Sequence, residues 1–212
     1  MIRRFETYAF LPGTSSGSEE RLATVLAEAG RYISEVLYCA VGRNLSDAPA
    51  RLVWEHAFES AQSYQRYMVH PYHVEMIDRY VLADSPERIV EAAKGAGLFG
   101  YHCEDISRVS SCPGRRVVLL DIEPAATADA INALVDKLGA EAAAGGAVAT
   151  GAGPNTLATT WFDGVNPLPI PPPKWSHVWE AGYLSLPDAE TPPSLAISPV
   201  RRFRELRYEL VD

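Results

Sequence analysis

The residues best suited to acid–base chemistry lie between positions 58 and 74. Ten consecutive residues of this stretch contain three tyrosines and two histidines: Tyr64, Tyr67, His70, Tyr72 and His73. A histidine titrates near neutral pH and can carry a proton in either direction, and a phenol can donate a hydrogen bond to a developing oxyanion. The composition of this stretch therefore predicts a general acid–base site.

Two of these side chains are the predicted catalytic groups. A residue that precedes proline is biased away from the α region, so we expect the helix to break at His70-Pro71 and to resume in a new direction. This break would let Tyr67 and His73 point into one space without sharing a helical period. The predicted substrate-binding residues are Trp54, His56, Tyr64, Tyr72 and His70. Each of these also has a structural interpretation, packing for the aromatic residues and a turn for His70.

Other catalytic signatures are weak. Residues 145–153 are rich in glycine but lack the Lys and Ser/Thr of a phosphate loop, so we interpret them as a turn and the edge of a strand. His70 and His73 could ligate a metal ion, but the sequence offers no third ligand. We therefore predict neither a metal nor a cofactor.

Bulk properties limit the classes of partner. The chain has 212 residues, a net charge of -8 and a pI near 5.2, and phosphate binding requires clustered Lys and Arg, so a nucleic-acid partner is not expected. No stretch approaches the roughly 20 apolar residues of a membrane helix. The three cysteines do not form a disulfide or zinc pattern, so we expect free thiols. These features predict a cytoplasmic protein that binds a small molecule and no membrane.

The pattern of apolar residues predicts a repeated order of elements. The first cycle consists of strand Arg4 to Leu11, a helix from Ser18, strands Val36 to Val41 and Arg51 to Phe58, helix Ala61 to Val69, a second helix from Pro71, and strand Phe99 to Ile106. A linker at 107–114 leads to strand Val117 to Ile122, helix Ala128 to Ala144, and strands Thr156 to Phe162, Ser176 to Leu184 and Arg204 to Val211. Proline-rich stretches at 164–173 and 186–200 distinguish the second cycle.

The two cycles also share sequence. The stretch Leu52-Val-Trp-Glu-His-Ala-Phe-Glu-Ser60 aligns with His177-Val-Trp-Glu-Ala-Gly-Tyr-Leu-Ser185. We therefore predict an α+β protein of two tandem ferredoxin-like units, 1–106 and 115–212, that form a single-chain dimeric-type α/β barrel. Helices cover only one face of a ferredoxin-like sheet, and the uncovered faces of the two units would pack against each other. A monomer is therefore sufficient, although a homodimer is possible.

The pattern Phe58-Glu-Ser, Tyr67 and His70-Pro-x-His73-Val74 resembles the stress-responsive dimeric α/β barrel (Dabb) family. Within that family it is most similar to polyketide cyclases of the olivetolic acid type. The resemblance covers about residues 1–105. It implies that His73 is the general base, that Tyr67 binds the reacting carbonyl and that His70 is structural. Two further cavity histidines of those cyclases have no counterpart, because Arg4 and Leu52 stand near their positions; His177 occupies the Leu52 position of the second unit.

The resemblance and the residues together predict a cofactor-free cyclase, or a related lyase or isomerase, that acts on a small carbonyl-rich metabolite in natural-product biosynthesis. Only the first unit carries the motif, so we expect one site per chain. Two alternatives stay open: a non-catalytic small-molecule-binding or stress-related protein, and a cofactor-free monooxygenase.

Overall fold

The first half of the chain has the predicted order of elements. The computed structural model describes residues 1–46, 49–91, 97–156, 175–186 and 199–211. The elements of this half are β1 (Ile2–Tyr8), α1 (Ser16–Tyr32), β2 (Val36–Asn44), β3 (Leu52–Phe58), α2 (Ala61–Met68), a π-helix (Tyr72–Ile77), α3 (Asp78–Val81) and β4 (Gly97–His102). Helix α1 begins before Ser18 because the Ser15 hydroxyl accepts a hydrogen bond from the Ser18 N–H and caps the helix.

The second half differs from the prediction in one strand. Its elements are α4 (Ser107–Ser110), β5 (Gly114–Ile122), α5 (Ala128–Ala144), β6 (Ala147–Pro154), β7 (His177–Tyr183) and β8 (Val200–Leu210). The bounds of α5 match the prediction, whereas a short helix, α4, replaces part of the expected linker.

The strand predicted at Thr156 to Phe162 is wrong at Thr156, because the second strand of this half is β6 and ends at Pro154. Glycines in β6 meet a physical need: a Cβ atom on Gly151 would lie 2.1 Å from the Tyr101 hydroxyl oxygen. The remainder of that predicted strand, the proline-rich stretch 164–173 and residues 187–198 lie outside the described residues.

All eight strands belong to one antiparallel sheet with the order β4-β1-β3-β2-β8-β5-β7-β6. Strands β4-β1-β3-β2 and strands β8-β5-β7-β6 have the same ferredoxin-like order, and pairing of Gly42 with Leu210 joins β2 to β8. The outermost strands meet through side chains, and the Gly100 N–H donates to Asn155 Oδ1 at 3.2 Å. The predicted fold class, a single-chain barrel of the dimeric type, is confirmed.

The barrel has an inner face and two outer faces. Side chains alternate between the two faces along β3: Trp54 and Phe58 pack outward under the helices of the first half, while Val53 packs into the barrel. An apolar cluster under α5 covers the outer face of the second half and includes Leu138 and Trp179. In the described residues no helix has the length and apolar character needed to span a membrane.

A group of buried polar residues crosses the barrel interior. This interior network consists of Arg3, Glu55, Tyr101, Arg115, Glu180 and Tyr208. Arg3 contacts Glu55 and Glu180 at 2.5 Å each, and the Tyr208 hydroxyl donates to Glu55 at 3.0 Å. Burial alone would raise the pKa of Glu55, but the guanidinium groups of Arg3 and Arg115 hold it below its usual value. The two halves of the barrel are therefore joined by charge as well as by apolar contact.

Candidate functional site

The break at Pro71 positions the predicted catalytic residues. Helix α2 ends at Met68, and His70 Nδ1 accepts a hydrogen bond from the Tyr72 N–H at 3.1 Å. The chain then continues as a π-helix, a wide turn that is rare and often occurs at functional sites. This turn directs His73 inward, where it is only 6% exposed.

The imidazole of His73 meets the phenol of Tyr67. Their ring centroids are 4.4 Å apart and the rings are inclined at 61°, an edge-to-face contact. Tyr67 itself is fully buried beneath the helices of the first half. The two groups that the sequence analysis selected as base and hydrogen-bond donor are thus direct neighbours on the outer face of the sheet.

Strand β3 supplies the floor of this region. The Trp54 and His56 rings lie 4.2 Å apart, and the His56 ring lies 5.9 Å from that of Tyr67. Tyr64 is also close, with its ring 5.8 Å from that of Tyr67. Three of the predicted substrate-binding residues, Trp54, His56 and Tyr64, therefore surround the Tyr67–His73 pair.

The other two predicted substrate-binding residues lie outside this group. The Tyr72 hydroxyl donates to the Val25 carbonyl at 3.0 Å, and its ring stacks on Tyr32 with the centroids 4.7 Å apart. His70 is half-buried and holds the turn through the hydrogen bond to the Tyr72 N–H. Both side chains serve the packing of the helical segment in this structure.

Arg4 is a member of the site that the sequence analysis treated only as a departure from the family pattern. It lies directly opposite His56 in the pairing of β1 with β3 and is 4% exposed. Its guanidinium carbon lies 4.5 Å from the centre of the Tyr64 ring, and Nη2 contacts Glu6 Oε1 at 2.7 Å. Alternation along β1 places Arg4 on the same face as Tyr8, but only the strand register shows that this face meets His56.

Several buried polar atoms of the site have no hydrogen-bond partner among the described residues. They are Arg4 Nε and Nη1, Trp54 Nε1, both ring nitrogens of His56, Tyr67 Oη and His73 Nδ1. We call these five residues the site cluster. Buried polar groups are almost always hydrogen-bonded in folded proteins, so such a concentration of unpartnered atoms indicates a place where a ligand or water supplies the partners.

Burial sets the protonation states of the cluster. Burial, together with the positive charge of Arg4, lowers the pKa of His73 to about 4. The same two causes lower the pKa of His56 well below its usual value, and burial raises the pKa of Tyr67. At pH 7 both imidazoles are therefore neutral and able to accept a proton, while Tyr67 keeps the proton that it can donate in a hydrogen bond.

Asp78 is a second residue that the sequence analysis missed. Its Oδ2 atom lies 3.7 Å from His73 Nδ1, and burial followed by the charge of Glu6 raises its pKa to about 6. A carboxylate at this position would stabilise a protonated His73. The only sequence signal is its place five residues after His73, and the π-helix between them determines how close the two groups come.

The corresponding face of the second half has a different character. The strand register places Leu52 opposite Tyr8 and His177 opposite Leu120, so the sequence alignment of β3 with β7 is also the structural one. Ala181 therefore occupies the position of His56, within an apolar cluster under α5. Across the described part of the chain, no three His, Cys, Asp or Glu side chains are grouped to hold a metal ion.

Comparison with known families finds a match for the part of the chain that carries the cluster. Residues 2–90 match the stress responsive A/B barrel domain (Dabb). All five residues of the site cluster fall within this Dabb match, and the remainder of the chain lies beyond it. No curated protein matches the chain at a significant level.

Solved structures share the fold of the whole chain. Chlorite dismutase from Candidatus Nitrospira defluvii is 14% identical, with a TM-score of 0.57, and the alignment covers 100% of this chain and 91% of that one. A proposed monooxygenase from Lactobacillus acidophilus is 12% identical, with a TM-score of 0.58 and coverage of 99% and 93%. At such identities these likenesses show the fold alone.

Proposed function

We propose that this protein is a cofactor-free acid–base enzyme of the polyketide cyclase type, or a related lyase or isomerase, acting on a small carbonyl-rich metabolite of natural-product biosynthesis. The observation that carries the proposal is the edge-to-face contact of His73 and Tyr67. One group is a neutral imidazole and the other a protonated phenol, and each has an unpartnered polar atom among the described residues. The Dabb match over this region supports a ferredoxin-like protein that binds a small molecule.

In the proposed reaction His73 removes a proton from a carbon that lies between two carbonyl groups. The C–H electron pair moves into the enolate, and Tyr67 donates a hydrogen bond to the enolate oxygen. The enolate carbon then attacks a second carbonyl of the same chain, which forms the ring C–C bond and an alkoxide. The alkoxide takes the proton back from His73, so protons and electrons balance without an oxidant.

The remaining members of the cluster suit this substrate. The positive charge of Arg4 favours the negative charge that develops on the carbonyl oxygens, since charge interactions strengthen in a buried site. The rings of Trp54 and His56 lie beside the Tyr67–His73 pair and give this region an aromatic wall. A base with a lowered pKa is a weak base, so the proposal requires a proton made acidic by two neighbouring carbonyls.

The test uses linear poly-β-ketone thioesters of increasing length, with cyclised products detected by mass spectrometry. We expect His73→Ala to reduce product formation by about 10²–10⁴-fold, the usual contribution of a general base, and Tyr67→Phe to cause a smaller loss. Tyr72→Phe is the matched control, because its hydroxyl bonds to the Val25 carbonyl away from the cluster. Unchanged product formation in both site variants would exclude these residues as the catalysts.

Two alternatives have distinct signatures in the same assay. A non-catalytic binding protein would hold the thioester, with weaker binding in Tyr67→Phe, and release no cyclised product. A cofactor-free monooxygenase would consume oxygen in proportion to product, which an oxygen electrode records. Cyclisation that proceeds at the same rate without oxygen favours the acid–base enzyme.

We further infer that the chain arose by tandem duplication, with units at 1–106 and 115–212. Support comes from equivalent strand positions: Arg3 corresponds to Arg115 in β5, and Glu55 corresponds to Glu180 in β7. Because the eight strands of one chain complete a barrel, a monomer is sufficient for the site. Light scattering on the purified protein would distinguish a monomer of 23.1 kDa from a dimer.

A further inference from the structure

The barrel has two seams between its halves, and they differ. At one seam β2 and β8 are joined by backbone pairing, whereas at the other β4 and β6 approach each other through side chains. Each seam lies beside one arginine of the interior network. Arg3 is opposite Tyr101 and Ala57 in its sheet, and Arg115 is opposite Tyr208 and Gly182, so the two arginines are equivalent in position.

Beside the β2–β8 seam, both Nη atoms of Arg115 have hydrogen-bond partners and its Nε atom has an ion-pair contact. Arg115 Nη1 donates to the carbonyl oxygens of Cys112 and Gly114, and Nη2 donates to the Tyr38 hydroxyl at 3.2 Å. Its Nε atom lies 3.0 Å from Glu55. Glu55 in turn contacts two guanidinium groups, because Arg3 also reaches it.

The equivalent residues beside the β4–β6 seam, Arg3 and Glu180, have polar atoms without partners among the described residues. Arg3 uses Nη2 for Glu55 and Nε for Glu180, and Nη1 has no partner among the described residues. Glu180 accepts from the Tyr101 hydroxyl through Oε1, but its Oε2 atom is also unpartnered in the described part of the chain. Both residues are fully buried. By comparison with the Arg115 side, Arg3 Nη1 has no oxygen acceptor among the described residues, and Glu180 contacts one guanidinium group where Glu55 contacts two.

A cavity adjoins these two groups. Its volume is about 340 Å³, and its walls include Arg3, Tyr101 and Glu180 on one side and the apolar side chains of Ile106 and Val109 on another. The exposed carboxylates of Glu104 and Asp105 stand at its rim. Arg3 and Arg4 are neighbours on β1 and point to opposite faces, so this cavity is separate from the site cluster.

We propose that the cavity is a second ligand site, which binds a small zwitterion of the α-amino-acid type with a short apolar side chain. The ligand carboxylate accepts from Arg3 Nη1 and the ligand ammonium donates to Glu180 Oε2. Arg3 and Glu180 are in contact at 2.5 Å, so the complementary acceptor and donor must lie on neighbouring groups of the ligand, as they do in an α-amino acid. The acidic rim favours the ammonium end, and Ile106 and Val109 receive the side chain.

The test is titration of the full-length protein by isothermal calorimetry with three probes that share a propyl side chain: L-norvaline, n-butylamine, which lacks the carboxylate, and pentanoate, which lacks the ammonium. We expect saturable binding of norvaline and at least tenfold weaker binding of each single-charge probe, because charge-assisted hydrogen bonds on both groups are needed. Glu180→Gln should weaken norvaline binding at least tenfold. The matched control is Glu104→Gln at the exposed rim, for which we expect a change of less than about threefold.

Two further variants keep the test decisive. Thr150→Trp places an indole in the cavity from an exposed position and leaves the network intact, so it should abolish binding even if Glu180→Gln proves unstable. His73→Ala should leave norvaline binding unchanged, which separates this site from the proposed cyclase. Absence of saturable norvaline binding to the wild type, or equal binding to Thr150→Trp, would overturn the proposal.

Discussion

Strands β1 and β3 carry buried polar residues on both faces of the sheet. The residues on the two faces differ in how many hydrogen-bond and ion-pair partners they have. On the inner face Arg3 and Glu55 form an ion pair that extends across the barrel. On the outer face Arg4 and His56 lie directly opposite each other, yet both ring nitrogens of His56 lack partners among the described residues. Neighbouring residues of β1 and β3 thus belong to two different groups, the interior network and the site cluster.

This difference indicates two uses of buried polarity. Unpaired polar groups cost free energy when they are removed from water, so a protein keeps them only where something compensates. On the inner face the ion pairs of Glu55 with Arg3 and Arg115 supply this compensation and hold the two halves together. In the outer cluster Arg4 is paired with Glu6, but the ring nitrogens of His56 and the Tyr67 hydroxyl have no partner among the described residues, and a ligand is the natural source of those partners. Mutations on the two faces should therefore have opposite consequences for stability.

The largest expected effect belongs to the inner face. Glu55→Gln removes the charge that Arg3 and Arg115 share, so it should lower the free energy of unfolding by about 3–5 kcal/mol, as measured by urea denaturation. Glu209→Gln on the exposed side of β8 is the control and should change the free energy of unfolding by less than about 0.5 kcal/mol. A loss below about 1 kcal/mol for Glu55→Gln would show that the inner network is not structural.

The next effect concerns pH and the outer cluster. Because the pKa of His73 is lowered to about 4 in the folded state, the unfolded chain binds more protons as pH falls from the usual histidine value towards 4. The wild type should therefore lose up to about 3 kcal/mol of stability over this range relative to His73→Gln. Asp78 acts in the opposite direction, since its pKa is raised to about 6 and its contribution is lost as pH rises.

Both proteins contain Asp78 and His56, so the difference between their pH profiles reports His73 together with its electrostatic coupling to these two groups. The measurement is the free energy of unfolding in urea at half-unit steps from pH 7 to pH 4. Parallel profiles would mean that the folded protein does not hold His73 in its neutral form. The activity of the proposed enzyme should follow the same group, with full rate above about pH 5 and a decline below it.

A pair of tyrosine variants compares the faces directly. Tyr208→Phe removes a hydroxyl that donates to the buried carboxylate of Glu55 and should lower stability by about 1–3 kcal/mol. Tyr67→Phe removes a buried hydroxyl that has no partner among the described residues and should raise stability by about 1 kcal/mol while impairing turnover. Thermal unfolding of the two variants measures the sign of each change in stability. A loss of stability in Tyr67→Phe would contradict the assignment of the Tyr67 hydroxyl as unpartnered.

The smallest effect is expected outside both groups. Tyr72→Phe removes the hydrogen bond to the Val25 carbonyl at a half-buried position and should cost about 0.5–1 kcal/mol, without a change in product formation. Calorimetric unfolding together with the thioester assay checks both parts. A large loss of product would bring Tyr72 back into the site, as the sequence analysis first placed it.

Much of the fold could be predicted because it is recorded in local patterns. The bounds of α5 follow from its apolar spacing, and the two faces of β3 follow from alternation. The alignment of Leu52–Ser60 with His177–Ser185 also predicted equivalent strands, and the strand register agrees with it. Strand β6 was predicted only as a turn and the edge of a strand at 145–153, because Gly151 and Gly153, which lie against Tyr101 of the other half, carry little strand signal of their own.

The site was only partly predictable for a related reason. Tyr67 and His73 stood out through their family pattern and their place around Pro71. Arg4 and Asp78 depend on the register of β1 against β3 and on the width of the π-helical turn, neither of which composition or periodicity reveals. The inner network is harder still, because Arg3 meets Glu180 only when the two halves close on each other.

Only one of the two seams is joined by backbone pairing, so the sheet is a curved band whose two ends are β4 and β6. Backbone pairing fixes the band at β2 and β8, whereas the ends at β4 and β6 are fastened by Tyr101 and Asn155. Regions with few backbone hydrogen bonds between elements open at the lowest free energy. Among the described strands, β4 and β6 are therefore expected to part most readily, with the β2–β8 junction as the hinge, and such a parting would expose the barrel interior without unwinding a described helix.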